Sequence, residues 1–158
     1  MTKKIMLIDG SSLIFRAFFA LPQLTNADGV MTNGVYGFLT MYFSALEKYK
    51  PDYVLVAFDK SSKTFRHEEF KDYKATRDKA PSELNYQFGI LKDILDSLNV
   101  KHMDIDGYEA DDIVGTYARL ASEEGLETII ITGDKDYFQL IDKNVKVYLT
   151  RKGISNMV

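Results

Sequence analysis

Carboxylate side chains follow four of the apolar runs in this sequence, at or just after the point where each run ends. They are Asp9, Asp59, Glu109, Asp111, Asp112, Asp134 and Asp136. Donor sets made only of oxygen suit hard cations such as Mg²⁺ or Mn²⁺, which carboxylates hold together with waters and substrate phosphates. Two such ions about 3.5–4 Å apart would activate a water and stabilise the leaving oxygen of a phosphodiester. The residue types therefore point to metal-dependent phosphodiester chemistry.

Each acidic group also has a purely local explanation. Asp9 and Asp134 could cap the elements that follow them, and Asp59 is an ordinary turn residue. The run Glu109-Ala-Asp-Asp112 suits a helix N-terminus, where carboxylates gain about 0.3–1 kcal/mol each from the helix dipole. Local capping does not explain why all four groups follow predicted strands. So many clustered carboxylates would also repel one another unless cations compensate them.

A basic segment with interleaved aromatic side chains follows Asp59. Between Lys60 and Lys79 it holds seven cations and four carboxylates, although the whole chain has a net charge of −3. Tyr73, Lys74 and Arg77 would share one face of a helix, and cations beside rings suit a groove that binds phosphates and bases. A solvated amphipathic helix is the alternative. Further candidate nucleic-acid contacts are Arg16, Tyr36, Lys63, Arg66, Lys71 and Lys79.

The elements that must position these side chains alternate between strand and helix. Strand-like runs are 5–8, 53–58, 100–103, 128–131 and 145–148; residues at helical spacing occur in 35–46, 84–98 and 113–120. Such alternation predicts right-handed crossovers and a three-layer α/β fold, with a mostly parallel central sheet and helices on both faces. All the acids would then meet at the edge formed by the strand C-termini. Among the aromatic residues of the first helical pattern, Phe38, Tyr42 and Phe43 are predicted to be core, and Tyr36 to face a ligand.

Composition excludes several classes of protein. With 158 residues, 46% hydrophobic and 27% charged, the chain has the size and balance of one globular domain, not of a disordered, collagen-like or coiled-coil protein. Cysteine is absent, which excludes disulfides and thiolate ligands. The apolar runs are too short to cross a bilayer, and no signal peptide precedes the first strand. We therefore expect a cytoplasmic protein without a membrane partner.

Seven motifs in this order resemble the 5′-nuclease domain of bacterial DNA polymerase I, a member of the flap-endonuclease group with a PIN-like fold. The motifs are Ile8-Asp-Gly-Ser-Ser12 with Arg16-Ala-Phe, Thr32-Asn-Gly-Val-Tyr-Gly-Phe38, Val56-Ala-Phe-Asp59, Lys63-Thr-Phe-Arg66, Tyr73-Lys-Ala-Thr-Arg77, Tyr108-Glu-Ala-Asp-Asp112 and Thr132-Gly-Asp-Lys-Asp136. The resemblance implies a structure-specific 5′→3′ exonuclease and flap endonuclease. Such a nuclease uses two divalent ions and removes RNA primers and displaced 5′ strands from DNA during replication and repair.

The resemblance also implies roles for individual residues. The seven acids match the metal ligands of the family, while Tyr73, Lys74, Arg77 and Arg16 match positions near the 5′ strand and the scissile phosphate. Residues 60–81 resemble the helical arch. We expect residues 1–158 to be the N-terminal catalytic domain of a bacterial, nucleoid-associated protein. The family's helix–hairpin–helix DNA-binding part would follow Val158, and a polymerase domain could follow in the parent chain.

Other functions compete with this interpretation. A PIN-like ribonuclease acting on single-stranded RNA would carry a similar acid cluster, although it would not need the basic segment. A non-catalytic fragment that binds DNA or metal is a second alternative. A receiver-like signalling domain would need a lysine at the matching point after the fifth strand, and a haloacid-type phosphatase would need an aspartate where Ser11 stands. The sequence matches neither of these last two patterns.

Overall fold

The computed structural model describes residues 2–22, 27–29, 32–59, 82–151 and 156–157. Within those ranges, the strands are β1 (Lys4–Asp9), β2 (Tyr53–Ala57), β3 (Lys101–Met103), β4 (Glu127–Thr132), β5 (Val145–Arg151) and β6 (Asn156–Met157). The helices are α1 (Gly10–Ala20), α2 (Asn33–Tyr49), α3 (Ser82–Ser97) and α4 (Ala110–Glu123), with a 3₁₀ helix at Lys135–Leu140. Across these ranges, none of the helices is both long and apolar enough to traverse a bilayer.

The strands form one sheet in the order β3-β2-β1-β4-β5-β6. The first five strands pair in parallel, and β6 pairs antiparallel to β5. At the centre, Ile8 of β1 pairs with Val56 of β2 and with Ile131 of β4. Strands buried on both faces read as unbroken apolar runs, which is how the sequence identifies β1, β2 and β4, and the predicted runs 100–103 and 145–148 correspond to β3 and β5. The prediction of a mostly parallel α/β sheet is confirmed.

Helices cover both faces of the sheet, as a three-layer fold requires. Met6 and Ile8 point into a core formed with α1, α2 and α3. Leu7, between them, points into a second core on the opposite face, formed with α4 and with Tyr137 of the 3₁₀ helix. Because successive side chains of β1 point to opposite faces of the sheet, they pack in two different cores. The strand C-termini lie between these layers, at one edge of the sheet.

Three details differ from the sequence analysis. Phe43, assigned to the core, is 49% exposed, whereas Phe38 and Tyr42 of the same helix are buried. Strand β5 extends to Arg151, beyond the predicted run 145–148, and the edge strand β6 lies outside the predicted runs. Helix α1, which was not predicted from periodicity, begins directly after Asp9 and buries Leu13, Ile14 and Ala17 in the core shared with α2 and α3. Phe43 was misplaced because helical spacing defines a stripe of side chains but not where that stripe ends.

Candidate active site

The predicted acids lie at the edge of the sheet where the parallel strands end. Asp9 is the last residue of β1, Asp59 follows β2 after Phe58, and Asp134 follows β4 after Gly133. Glu109 directly precedes α4, which starts after the short strand β3. The convergence predicted from the sequence is therefore a property of the fold, because β2, β1 and β4 are adjacent and parallel.

Asp9 lies at the centre of this edge and is 5% exposed. Its Oδ1 accepts a hydrogen bond of 3.1 Å from the backbone N–H of Ser12, so Asp9 is the N-cap of α1. Its Oδ2 accepts hydrogen bonds from the hydroxyl of Tyr137 at 3.0 Å and from Thr132 Oγ1 at 3.4 Å. The capping explanation is thus correct for one oxygen of Asp9, while the other is held by side chains from distant parts of the chain.

Tyr137 is hydrogen-bonded to Asp9 and lies near acids of two other segments. Its side chain is 2% exposed, in the core beneath α4. The pKa of this phenol is raised far above its usual range, first by burial and then by the charges of Asp9 and Asp111, the hydrogen bond to Asp9 and the charge of Asp59. These three acids are thus close enough to act electrostatically on one hydroxyl. Tyr137 is not identifiable as a site residue from the sequence, since a single aromatic residue after an acidic pair resembles any core residue.

Three hydroxyl side chains organise the backbone around the acids. Ser11 Oγ accepts a hydrogen bond of 2.8 Å from the backbone N–H of Asp59. Ser12 Oγ accepts one of 3.1 Å from Gly133 N–H and lies 3.3 Å from Thr132 Oγ1. Thr132 Oγ1 in turn accepts one of 3.0 Å from Asp134 N–H. The sequence analysis assigned no role to these hydroxyls. In the sequence, only their position close to Asp9 and Asp134 indicates that these hydroxyls belong to the site.

Local capping and site formation coincide at α4 and at the 3₁₀ helix. Asp112 Oδ2 accepts a hydrogen bond of 2.9 Å from Glu109 N–H, in the manner of a capping box. Asp134 Oδ1 accepts one of 2.9 Å from Asp136 N–H. The same residues can therefore start a helix and present negative charge at the sheet edge. The two explanations of these acids do not compete.

A cleft between α4 and the 3₁₀ helix receives three of the predicted acids. It has a volume of about 320 Å³ and is lined on the helix side by Asp111, Asp112 and Arg119, and on the other side by Asp136 and Tyr137. Arg119 also forms an exposed ion pair of 3.2 Å with Glu123, one turn further along α4. The cleft is open and acidic, which suits a hydrated cation.

The donor chemistry of the site fits a hard divalent cation, because every predicted ligand is a carboxylate. Buried and clustered carboxylates such as Asp9 and Glu109, which are 5% and 7% exposed, would also be stabilised by such a cation. Among the residues that the structure describes, however, no group of three or more acidic or histidine side chains is arranged to hold an ion on its own. The assignment of seven ligands to two ions therefore stays a prediction.

The predicted nucleic-acid contacts divide into two groups. Arg16 is half-buried beside the acids, where its Nη2 donates a hydrogen bond of 3.1 Å to the carbonyl of Gly133. Tyr36 is 57% exposed near the start of α2, so it is not a core residue and is accessible to a ligand. The remaining candidates lie outside the described residues: Lys63, Arg66, Lys71, Tyr73, Lys74, Arg77 and Lys79.

Comparison with known families gives one match that spans nearly the whole chain. Residues 4–157 match the model of the "5′-3′ exonuclease, N-terminal resolvase-like domain" family. The chain is also 47% identical over 155 residues to DNA polymerase I of Bacillus subtilis and 47% identical over 157 residues to that of Bacillus caldotenax. It spans 18% of the length of each of these relatives while matching 98% and 99% of its own length.

Comparison with solved structures identifies proteins that share this fold. A structure described as divalent metal ions (zinc) bound to T5 5′-exonuclease has a TM-score of 0.67 at 24% identity, covering 93% of this chain and 55% of that one. Human GEN1 in complex with Holliday junction DNA has a TM-score of 0.54 at 14% identity, covering 93% of this chain and 34% of that one. At these identities the likeness concerns the fold, and it agrees with the PIN-like 5′-nuclease architecture expected from the motifs.

Proposed function

The chain belongs to the family of 5′-3′ exonuclease N-terminal, resolvase-like domains, and from that membership we propose that it is the catalytic part of a metal-dependent 5′→3′ exonuclease and flap endonuclease. Its substrates would be DNA with 5′ flaps or ends, and RNA primers on DNA, in the bacterial cytoplasm at the nucleoid. The observation that carries the proposal is that Asp9, Asp59 and Asp134 lie at the C-terminal ends of three adjacent parallel strands.

We propose that the acids of the sheet edge bind two divalent ions, Mg²⁺ or Mn²⁺. The ligands would be Asp9, Asp59, Glu109, Asp111, Asp112, Asp134 and Asp136. When bound, such ions supply water activation and charge stabilisation on the leaving oxygen of a phosphodiester. The hydrogen bonds from Ser12 N–H and from Tyr137 hold the carboxylate of Asp9 in one orientation. A fixed orientation supports binding because little ordering is then needed when the ion arrives.

The basic residues would act on the nucleic acid rather than on the ions. Lys74 and Arg77 would neutralise charge that builds up on the scissile phosphate, and Tyr73 would stack beside the strand. In our proposal they belong to an arch over residues 60–81 that leads away from Asp59. Arg16 supports a strand path along the edge of the sheet, because it lies beside Gly133. Tyr36 is exposed and would be available to stack on the strand. Contacts to the strand backbone are also proposed for Lys63, Arg66, Lys71 and Lys79.

The direct test is cleavage of a 5′-labelled flap duplex in Mn²⁺ or Mg²⁺, with EDTA and single-stranded RNA as comparison arms. We expect metal-dependent release of the flap by the chain and its loss in Asp134→Ala. The matched control is Asp142→Ala, a change of the same charge in the turn before β5, which should cut like the wild type. Cleavage of the RNA but not of the flap would favour a PIN-like ribonuclease.

Mn²⁺ binding without cleavage of either substrate would favour a non-catalytic fragment. A chain that neither binds Mn²⁺ nor cleaves the flap would overturn the proposal.

A further inference from the structure

Tyr137 occupies a position in the site that core packing alone does not explain. Its ring lies among buried residues of the second core, including Val114 and Ile130, while its hydroxyl reaches the carboxylate of Asp9 at 3.0 Å. A phenol hydroxyl at a core position usually needs one acceptor, which a backbone carbonyl can provide. Here the acceptor is a buried carboxylate 128 positions away in sequence.

The hydrogen bond from Tyr137 completes a two-sided restraint on Asp9. Ser12 N–H holds Oδ1 at 3.1 Å from the α1 side, and Tyr137 holds Oδ2 from the 3₁₀-helix side. A carboxylate bound at both oxygens has a defined plane, and rotation about its Cβ–Cγ bond would break one bond or the other. A rigid aromatic ring anchored in the core supplies this restraint with little loss of side-chain entropy.

Tyr137 also connects acids from two strands. It follows Asp136 directly in the 3₁₀ helix whose N-cap is Asp134, and its hydroxyl contacts the acid at the end of β1. This ring therefore adds a side-chain link between Asp9 and the β4-side acids to the links made by the pairing of β1 with β4 and by the hydroxyls of Ser12 and Thr132. The cleft that holds Asp136 and Asp111 is lined by the same side chain.

We propose that Tyr137 is a positioning residue that orients the Asp9 carboxylate for a divalent cation and sets its spacing from the β4-side acids. The inference rests on the proposed metal-dependent function. Residues that orient metal ligands through hydrogen bonds typically change metal affinity or activity by about 10–100-fold when they are removed. Tyr137 acts through Asp9 and is not itself a ligand.

The test is Mn²⁺ binding by the whole chain, followed by electron paramagnetic resonance of the free ion. Tyr137→Phe keeps the ring and removes only the hydroxyl, and we expect an affinity about 10-fold or more below that of the wild type. Tyr117→Phe is the matched control, because it removes a phenol hydroxyl from a residue packed against the same core. Circular dichroism of both variants establishes that they are folded.

A double-mutant cycle separates positioning from simple destabilisation. If Tyr137 acts through Asp9, the same hydroxyl removal in an Asp9→Asn background should leave the remaining Mn²⁺ affinity unchanged. An equal loss in both backgrounds would overturn the inference. The cycle therefore has a readout that loss of core stability alone would not produce.

A measurement on the wild type covers the case in which Tyr137→Phe does not fold. The chain has no tryptophan, so emission from bound Tb³⁺ must be sensitised by tyrosine. Emission that is displaced by Mn²⁺ and retained in Tyr108→Phe supports a phenol beside the ion. Absence of emission from a wild type that binds Mn²⁺, or unchanged Mn²⁺ affinity in folded Tyr137→Phe, would overturn this inference and leave the proposed function intact. A wild type that binds no Mn²⁺ would overturn both.

Discussion

Asp59 Oδ1 accepts a hydrogen bond of 2.7 Å from the backbone N–H of Ala110, the first residue of α4. The acid that follows β2 is thereby hydrogen-bonded to the start of the helix that carries Asp111 and Asp112. The backbone N–H of Asp59 is held in turn by Ser11 Oγ at 2.8 Å. Three segments far apart in sequence thus meet at one residue, and its charge and its hydrogen bonds can be tested separately.

Replacing Asp59 by asparagine removes its charge but keeps an oxygen that can accept from Ala110 N–H. We expect Mn²⁺ affinity and flap cleavage to fall about 100-fold or more, because a metal-bound carboxylate supplies several kcal/mol. Asp142→Asn is the matched control, since its Oδ1 also accepts a backbone N–H, that of Asn144 at 2.7 Å. Calorimetric titration with Mn²⁺ is the measurement, and wild-type affinity in Asp59→Asn would remove Asp59 from the ligand set.

Arg16 is predicted to contact a phosphate as well as the carbonyl of Gly133. Arg16→Ala should weaken DNA binding to a similar extent for every sequence and reduce the slope of log K against log salt by about 1. Lys101→Ala serves as the control, because Lys101 is exposed at the opposite end of the sheet, where β3 begins. Fluorescence anisotropy over a series of salt concentrations measures both slopes. A slope unchanged by Arg16→Ala would restrict Arg16 to its bond with Gly133.

Gly10 is required for close packing directly beside the site. A Cβ at this position would lie 2.6 Å from Phe58 Cε1 and 2.8 Å from Val56 Cγ1. Gly10→Ala should therefore lower the free energy of unfolding by about 1–3 kcal/mol through overpacking. Gly89→Ala in α3 is the opposite case, since nothing lies within 4 Å of its added Cβ. It should raise the free energy of unfolding by about 0.5–1 kcal/mol. Urea denaturation of both variants measures these changes, and equal effects of the two substitutions would contradict the prediction.

Gln87 of α3 joins α1 and α2 through a fully buried amide. Its Oε1 accepts from Val35 N–H at 3.0 Å and its Nε2 donates to Asn33 Oδ1 at 3.0 Å, while Asn33 donates to the Phe18 carbonyl at 2.8 Å. Gln87→Leu would leave a buried donor and a buried acceptor unsatisfied, at a cost of about 2–4 kcal/mol. The exposed Gln139 provides the control, because Gln139→Leu should change urea stability by less than about 0.5 kcal/mol. Equal effects of the two substitutions would contradict the importance of the buried amide.

Stability is expected to fall in alkaline solution through buried tyrosines. Burial, together with the neighbouring phenol of Tyr148, raises the pKa of Tyr49 to about 12, and burial also raises the pKa of Tyr42. A raised pKa means that the neutral phenol is favoured in the folded state, so its contribution is complete below pH 10 and is lost as the pH rises through about 12. Tyr49→Phe should reduce this loss by of the order of 1–2 kcal/mol. Tyr86→Phe, at a residue 60% exposed, should leave the profile unchanged when unfolding is measured against pH.

The sequence by itself determined the fold class, the five parallel strands and the position of every candidate ligand along the chain. These are local properties. An unbroken apolar run followed by an acid identifies a buried strand and its end, and a spacing of three or four residues identifies a helix. Parallel strands place their C-termini at one edge of the sheet. The placement of Asp9, Asp59 and Asp134 at one edge of the sheet could therefore be predicted, although their closeness depends on β2, β1 and β4 being neighbours.

Only the tertiary structure decided the strand order and the partners that hold the acids in place. Tyr137 is joined to Asp9 and Ser12 lies beside Thr132, across separations of 128 and 120 positions. No local pattern encodes such pairs, because they exist only once β1 and β4 are adjacent. The exposure of Phe43 was also decided there, since only the packing of α2 against its neighbours sets the limit of its buried stripe. Periodicity determines which elements form, and packing between distant elements determines which side chains meet.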